Sequence, residues 1–285
     1  MSFDGKTFAK GLTTSYASGT LYTNLRGGDM NALFLGTCAC DYSPKLKDEF
    51  IDKFDFDARR SSSFLLDGRY LIDCGEHGLQ SLRIAKVDYD NITDIFLTHL
   101  HSDHYNAYNI TEIAKAKKEK LRVWVREDAT LPTIENVEVI PMKLGEKYVV
   151  SQNCKVMGLL ANHDEKAFPQ HFFFECENKK IVYACDGAWF LNETWYHLKG
   201  LALDMLVLDA TCGDYLGDYR VGEHNTIPMI RLLLPSMKTW GTIVEETKIY
   251  LSHLAPSLHK SHEETSQIVQ ADGLKVAYDG LQVEL

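Results

Sequence analysis

The stretch 93–105 constrains this chain more than any other. His99-Leu100-His101-Ser102-Asp103-His104 places four metal-capable side chains within six positions, directly after the apolar run Ile95-Phe96-Leu97. Such a run reads as a buried strand, so the four side chains fall at a strand's C-terminal end. The same form recurs further on. Apolar strands ending near 97, 161, 185 and 251 each deliver one metal-capable residue: His99, His163, Asp186 and His253. Singly, a His after a strand or an Asp-Gly turn is ordinary. Together, residues on loops at one edge of rigid sheets can converge on one point. Neutral imidazole and carboxylate suit Zn, Mn or Fe without choosing sharply among them.

Composition narrows the setting. The 285 residues can bury a sizeable core, and 45% hydrophobic with 25% charged content is ordinary for a soluble globular protein. No apolar run approaches the roughly 18 residues needed to span a bilayer, and 1–30 is polar without the apolar centre of a signal peptide. A cytoplasmic protein without a membrane partner is expected. Seven cysteines, at 38, 40, 74, 154, 176, 185 and 212, are odd in number and scattered; reduced, buried thiols are expected rather than a disulfide framework. A formal net charge of −10 speaks against a nucleic-acid polymer as partner and for a small-molecule substrate. The oligomeric state, a dimer included, is left open.

In chain order, 20–22 reads as a short strand within a polar leader and 31–37 as a first strand. Residues 38–60 are charged and read as a surface insertion near the site mouth. Residues 63–73 read as a hairpin around Asp67-Gly68, a strong two-residue turn signal. Helices are expected from 79 to 87, 110 to 121, 189 to 199, 227 to 237 and 260 to 271, the fourth with Pro228 in its first turn, where proline is tolerated. Further strands are expected at 123–125, 137–142, 148–150, 155–161, 205–209, 249–252 and 274–278, with a hairpin around Asn178-Lys179 joining 172–176 to 180–185. No Pro-rich or low-complexity linker divides the chain, so one domain over 1–285 is expected.

A strand ending in His-x-His-x-Asp-His, followed by His163, Asp186 and His253 in this order and spacing, resembles the metallo-β-lactamase superfamily of metallohydrolases. The resemblance runs from about 33 to 262 and implies an α/β (α+β) fold, a four-layer αββα sandwich of two mixed sheets flanked by helices. It also implies two divalent metal ions: His99, His101 and His163 hold one, Asp103, His104 and His253 the other, and Asp186 bridges both. Attack by a metal-bound hydroxide is the implied chemistry, with Asp103 able to orient the nucleophile. Asp73, at the end of the early hairpin, is a candidate for orienting a metal ligand.

Superfamily members hydrolyse β-lactams, thioesters, lactones and phosphodiesters. Glu223-His224-Asn225-Thr226, between a core strand and a helix, resembles the His-containing segment of the phosphodiesterase branch, which includes ribonuclease Z and the cyclic phosphodiesterase of phosphonate breakdown. There the His contacts the phosphate and can protonate the leaving oxygen, as an alkoxide leaving group requires. Residues 38–60 lack the Cys and His for the extra structural zinc of the phosphonate enzyme, and the acidic chain shows no basic, Gly-rich arm for transfer RNA. The expectation is a binuclear metal-dependent phosphodiesterase on a small, in some cases cyclic, diester, with His224 as acid. A lactonase or thioesterase using the same metals is the alternative, ahead of a non-catalytic metal-binding protein.

Overall fold

The computed structural model describes residues 30–47, 51–56, 58–215 and 217–285. The expected leader with its strand at 20–22, and Asp48, Glu49 and Asp57 of the insertion, lie outside the described residues. The first part of the chain runs β1 (Asn31–Gly36), β2 (Ser63–Leu66), β3 (Tyr70–Ile72), α1 (Gly78–Ile84), β4 (Asp94–Phe96), α2 (Ala107–Lys115), β5 (Leu121–Arg126) and β6 (Val137–Met142). The second part runs β7 (Lys147–Ser151), β8 (Cys154–Leu160), β9 (Gln170–Cys176), β10 (Lys179–Ala184), α3 (Asn192–Leu198), β11 (Leu203–Asp209), α4 (Ile227–Thr239), β12 (Ile243–Ser252), α5 (His262–Gln270), β13 (Lys275–Val276) and β14 (Gln282–Glu284).

Two seven-stranded sheets result, ordered β14-β1-β2-β3-β4-β5-β6 and β13-β12-β11-β10-β9-β8-β7. Both are mixed. In the first, pairings are antiparallel from β14 to β3 and parallel from β3 to β6. In the second, they are antiparallel from β7 to β10 and parallel from β10 to β13.

Alternation along the strands makes three apolar layers. Phe34, Phe64, Phe96 and Trp124 of the first sheet meet Phe172, Phe174, Tyr183 and Val207 of the second in the central layer. The residues between them face outward. Leu33, Leu65, Leu71 and Ile95 pack under Leu82 of α1 and Ile110 and Ile113 of α2. Phe173, Val182, Leu206 and Leu251 pack under Leu198, Ile230, Leu233 and Val269 of α3, α4 and α5. The order of layers is therefore helix, sheet, sheet, helix. Phe96 lies at the centre, 5.6 Å from the ring of Trp124 and 5.1 Å from that of Phe174. Each such pair adds about 0.5–1.5 kcal/mol beyond area burial, and Phe96 stands three residues before His99.

Local signals account for most boundaries. Asp67 and Gly68 both take positive φ, 49° and 68°, as a type I′ hairpin requires. The later hairpin turns at Glu177 and Asn178, one residue before the expected position, because Lys179 already pairs with Cys176. α2 starts at 107, where the Asn106 side chain caps it, and stops at 115 instead of 121. Asn136 Nδ2 donates to the carbonyls of Ala114 and Lys117, which takes over the helix's last acceptors, and Leu121 opens β5 as a buried residue. α4 carries Pro228 in its first turn as expected. β14, three residues long, carries no strand signal in the sequence; it closes the first sheet beside β1.

Two readings need correction. Cys154 and Cys176 face each other in the β8–β9 ladder and form a disulfide; the remaining cysteines are free, and of these Cys40 is exposed. Nor is the insertion all surface. Arg60 is fully buried and pairs with the equally buried Asp279 at 3.6 Å, while Cys38 bridges Ser61 and Leu254 and so ties the segment to the loop of His253. Among the described residues no helix is long and apolar enough to cross a membrane.

Candidate metal centre

Strand direction explains why distant residues meet. β3 and β4 run parallel in the first sheet; β8, β10, β11 and β12 share one direction in the second. Their C-terminal ends emit Asp73, His99–His104, His163, Asp186, Asp209 and His253. Backbone bonds join the two edges: Leu100 N donates to Ala167 O, Gln170 N to Thr98 O, and Leu254 N to Thr37 O. All seven residues expected as metal ligands lie together, with His224 and Asp73 beside them.

Three donors form one pocket. His101 Nδ1 faces His99 Nε2 at 3.0 Å and His163 Nε2 at 3.2 Å. A second pocket holds Asp103, His104 and His253. His104 Nε2 lies 3.2 Å from Asp103 Oδ2 and 3.2 Å from His253 Nε2. Asp186 Oδ2 touches both, at 3.7 Å from His99, 3.5 Å from His163, 3.7 Å from His104 and 3.3 Å from His253. His101 Nδ1 thus meets two other ring nitrogens at once. One cation accepting three lone pairs satisfies that arrangement, and a single proton does not. The donor set fits divalent metal ions.

The pockets differ in enclosure. Asp103, His104, Asp186 and His253 are all buried, whereas the His101 side chain is 41% exposed and lies 3.7 Å from a similarly exposed Asp164. They differ also in electrostatics. Burial, reinforced by the neighbouring imidazoles, pushes His99 and His163 below the usual histidine value. Burial acts the same way on His104 and His253, but carboxylates outweigh it. Asp103 and Asp73 raise His104 well up, and Asp186 with Asp103 and Asp209 raises His253 to about 9.

Outer contacts fix each ring. Asp73 Oδ2 meets His104 Nδ1 at 2.7 Å, and the same carboxylate accepts from Thr98 N and Thr98 Oγ1, both at 2.8 Å. Asp209, read from sequence only as the end of a core strand, serves two rings. Its Oδ2 lies 3.2 Å from His253 Nδ1 and 3.0 Å from His224 Nδ1, and its Oδ1 accepts from Thr211 N and Asn225 N. The Thr211 hydroxyl sits among them, 2.7 Å from His253 Nδ1 and 3.1 Å from His224 Nδ1. His224 Nδ1 also reaches Asp186 Oδ1 at 2.7 Å. Burial disfavours charge on His224, but Asp186 and Asp209 overcome it and push the ring up to about 12. With Nδ1 held by carboxylates, Nε2–H is its remaining donor.

Backbone devices complete the site. Asp73 and His253 take φ of 62° and 56°, a left-handed conformation uncommon outside glycine that costs about 1–3 kcal/mol. Each ends its strand's alternation at the residue that faces the site. Gly75 lies so close to the loop 99–104 that a Cβ there would overlap the Asp103 carbonyl.

Known proteins resemble the chain in parts and as a whole. A family model described as anti-Pycsar protein Apyc1 matches residues 62–132, the span of the early hairpin and the His99–His104 loop. A ribonuclease Z of Archaeoglobus fulgidus is 49% identical over 37 residues, 13% of this chain and 12% of that protein. The chain thus aligns with about an eighth of that relative. In structure, the metallo-β-lactamase fold protein YhfI of Bacillus subtilis matches with a TM-score of 0.68 at 14% identity, over 90% of this chain and all of the other. A diphosphatase of the PhnP family matches with a TM-score of 0.68 at 18% identity, over 90% and 97%. The chain has the metallo-β-lactamase fold.

Proposed function

We propose that this chain is a binuclear metal-dependent phosphodiesterase acting on small phosphodiesters, cyclic ones included. One observation carries the choice among hydrolases: His224 Nδ1 lies between Asp186 Oδ1 at 2.7 Å and Asp209 Oδ2 at 3.0 Å. A ring so held keeps its proton at neutral pH and presents it on Nε2 beside both pockets, its ring 5.2 Å from that of His163 and 5.5 Å from that of His253. An alkoxide leaving a phosphodiester needs such an acid far more than the thiolate leaving a thioester. Against a lactonase, whose leaving group is also an alkoxide, the ribonuclease Z segment supports the phosphodiester.

His99, His101 and His163 would hold one ion and Asp103, His104 and His253 the other, with Asp186 common to both; Zn, Mn and Fe all suit these donors. Bound there, the ions supply Lewis acidity and water acidified to a pKa of about 7. The chain's own groups do the rest. Asp103, kept ionised by His104 and His253 against the effect of burial, accepts a hydrogen bond from the attacking water and orients it. His224 contacts the phosphate and delivers its proton to the leaving oxygen. Asp209 restores the charge balance and holds the ring in place. The ribonuclease Z segment and the PhnP-family diphosphatase support a phosphate ester as substrate.

The test is turnover of a chromogenic phosphodiester by protein loaded with Zn or Mn, wild type against His224→Ala. Metal-dependent activity that falls by about 10²-fold or more in the variant is expected for loss of a general acid. Absence of diester turnover beside lactone or thioester hydrolysis that ignores the substitution would sink the reading.

A further inference from the structure

Each imidazole of the metal centre turns one nitrogen inward and one outward, and the outer nitrogens meet a protein oxygen with a single exception. Thr98 Oγ1 lies 3.0 Å from His99 Nδ1, Asp164 Oδ2 lies 3.7 Å from His101 Nε2, and Asp73 Oδ2 lies 2.7 Å from His104 Nδ1. Thr211 Oγ1 and Asp209 Oδ2 flank His253 Nδ1. His163 turns Nε2 to His101 and Asp186. Its Nδ1 is buried, with no hydrogen-bond partner among the described residues. A ring that gives its Nε2 lone pair to a cation carries its proton on Nδ1, and a buried donor left unpaired is costly.

A carboxylate beside that ring is uncommitted as well. Glu223, exposed at the position before His224, places a carboxylate oxygen within 4.8 Å of a ring nitrogen of His163 and of one of His224. Among the described residues its side chain enters no hydrogen bond or ion pair. Its backbone, in contrast, is held: Arg220 O accepts from both Glu223 N and His224 N at 2.9 Å. The Arg220 guanidinium is taken by Asp218, at 2.8 Å through Nε and 3.1 Å through Nη2. His224 has the lesser need of a further carboxylate, since Asp186 and Asp209 already meet its Nδ1. The unmet demand is that of His163.

We propose that Glu223 is a positioning residue of the first pocket: its carboxylate accepts from His163 Nδ1–H and fixes the tautomer and orientation of that ring. The inference rests on the metal-centre reading above and not on the choice of substrate. A charge-assisted hydrogen bond needs an approach to about 2.8 Å, a short swing for an exposed side chain with no other partner. Glu223 then does for His163 what Asp73 does for His104 and Asp209 for His253, standing as a carboxylate behind an imidazole. Asp73 and Asp209 are fully buried and Glu223 is not. Solvent therefore weakens its hold, and its loss falls at the low end of what such groups cost.

The experiment is chelator competition for zinc, with proton–nitrogen NMR spectra of the imidazoles in the zinc-loaded protein, for wild type, Glu223→Gln and Glu223→Ala. The His163 signal is the one that vanishes in His163→Ala. Glu223 is exposed, so its substitution leaves the fold intact. Glu223→Ala is expected to weaken one zinc affinity by about tenfold and leave the other unchanged. It is also expected to shift the His163 Nδ1–H signal, to speed its exchange with water, and to regain wild-type turnover at saturating zinc. Glu223→Gln keeps an acceptor without the charge and should fall between. Unchanged affinities with an unchanged His163 signal would overturn the proposal. So would a loss of turnover that saturating zinc does not mend, with affinities unchanged, which would assign Glu223 to His224. Wild type that binds no zinc would overturn the metal centre and this proposal with it. Affinity and spectrum need no substrate, so failure of the phosphodiesterase reading shows separately.

Discussion

The two sheets share a plan, three antiparallel pairings and three parallel ones, yet they arm the site in different ways. The first sheet contributes almost everything from one loop, His99–His104, braced by Asp73 at the end of β3 and by the close approach of Gly75. The second contributes one residue per strand end, His163, Asp186, Asp209 and His253, from β8, β10, β11 and β12. A loop of six residues can set its ligands locally. Four strand ends can do so only once the sheet has its register, since a one-residue slip would turn each side chain to the other face. The first half therefore encodes chemistry in local sequence, and the second encodes it in topology.

Asp186 is where the halves meet, and its loss should have the largest effect. Its Oδ2 lies between 3.3 and 3.7 Å from His99, His163, His104 and His253. Asp186→Asn keeps the shape but removes a charge common to both pockets. Turnover is expected to fall on the order of 10³-fold or more, at least as much as on losing a transition-state-stabilising group, with metal content measured by elemental analysis falling as well. Undiminished metal content and turnover in the variant would show that Asp186 does not join the two halves.

A sharper comparison sets the outer carboxylates against each other. Asp73, from the first sheet, holds one ring; Asp209, from the second, holds His253 and His224 together. Asp73→Asn should weaken metal binding by about 10–100-fold, as for other groups that orient a ligand. Asp209→Asn should add to that the loss of the acid, lowering turnover at saturating metal by about 10²–10³-fold. Saturating metal should restore Asp73→Asn but not Asp209→Asn. Equal rescue of both would mean that Asp209 serves His253 alone.

The same division decides what could be read from the sequence. His99, His101, Asp103 and His104 were legible because six residues in a row carry them. His163, Asp186 and His253 were legible as strand ends, but only with the first motif in hand. Asp209 ends β11 in just that manner but is not legible as a site residue, since a lone Asp after Leu206-Val207-Leu208 has no neighbour to mark it. The hydroxyls of Thr98 and Thr211 acquire their roles only from tertiary contact. The disulfide was not legible either: Cys154 and Cys176 oppose each other through the β8–β9 register, which no local pattern states. The helix expected over 110–121 runs past the observed end at 115 because its Lys/Glu-rich continuation has helical propensity, while the residue that ends it, Asn136, lies twenty-one positions further on.

The pockets should also part in their pH dependence. Before a cation binds, His104 and His253 sit above their ordinary value, the latter at about 9, whereas His99 and His163 sit below theirs. Metal ligands must be deprotonated. Around pH 7 the second pocket must release protons to bind, whereas His99 and His163 of the first need not. Affinity of the second pocket should therefore rise with pH, by about tenfold per unit for each proton released, until pH passes about 9 for His253. His99 and His163 add no such rise to the first pocket above neutrality. Chelator competition at two pH values, in buffers of different ionisation enthalpy, checks this. A flat profile for both would mean that the carboxylates do not hold protons on His104 and His253.

The smallest effect belongs to the open end of the first pocket. Asp164 Oδ2 approaches His101 Nε2 at 3.7 Å, but the two side chains are about two-fifths exposed. Solvent screens such a pair, which is worth about 0–1 kcal/mol. Asp73, in contrast, meets its ring at 2.7 Å with both groups fully buried. Asp164→Asn should thus weaken metal binding at the first pocket by about fivefold at most and leave the second unchanged, where Asp73→Asn does far more. Two carboxylates with the same formal task, orienting a ligand of the His99–His104 loop, would then differ in effect through burial alone. Equal losses from the two substitutions would show instead that His101 is steered by Asp164 as firmly as His104 is by Asp73, with the exposed pocket as rigid as the closed one.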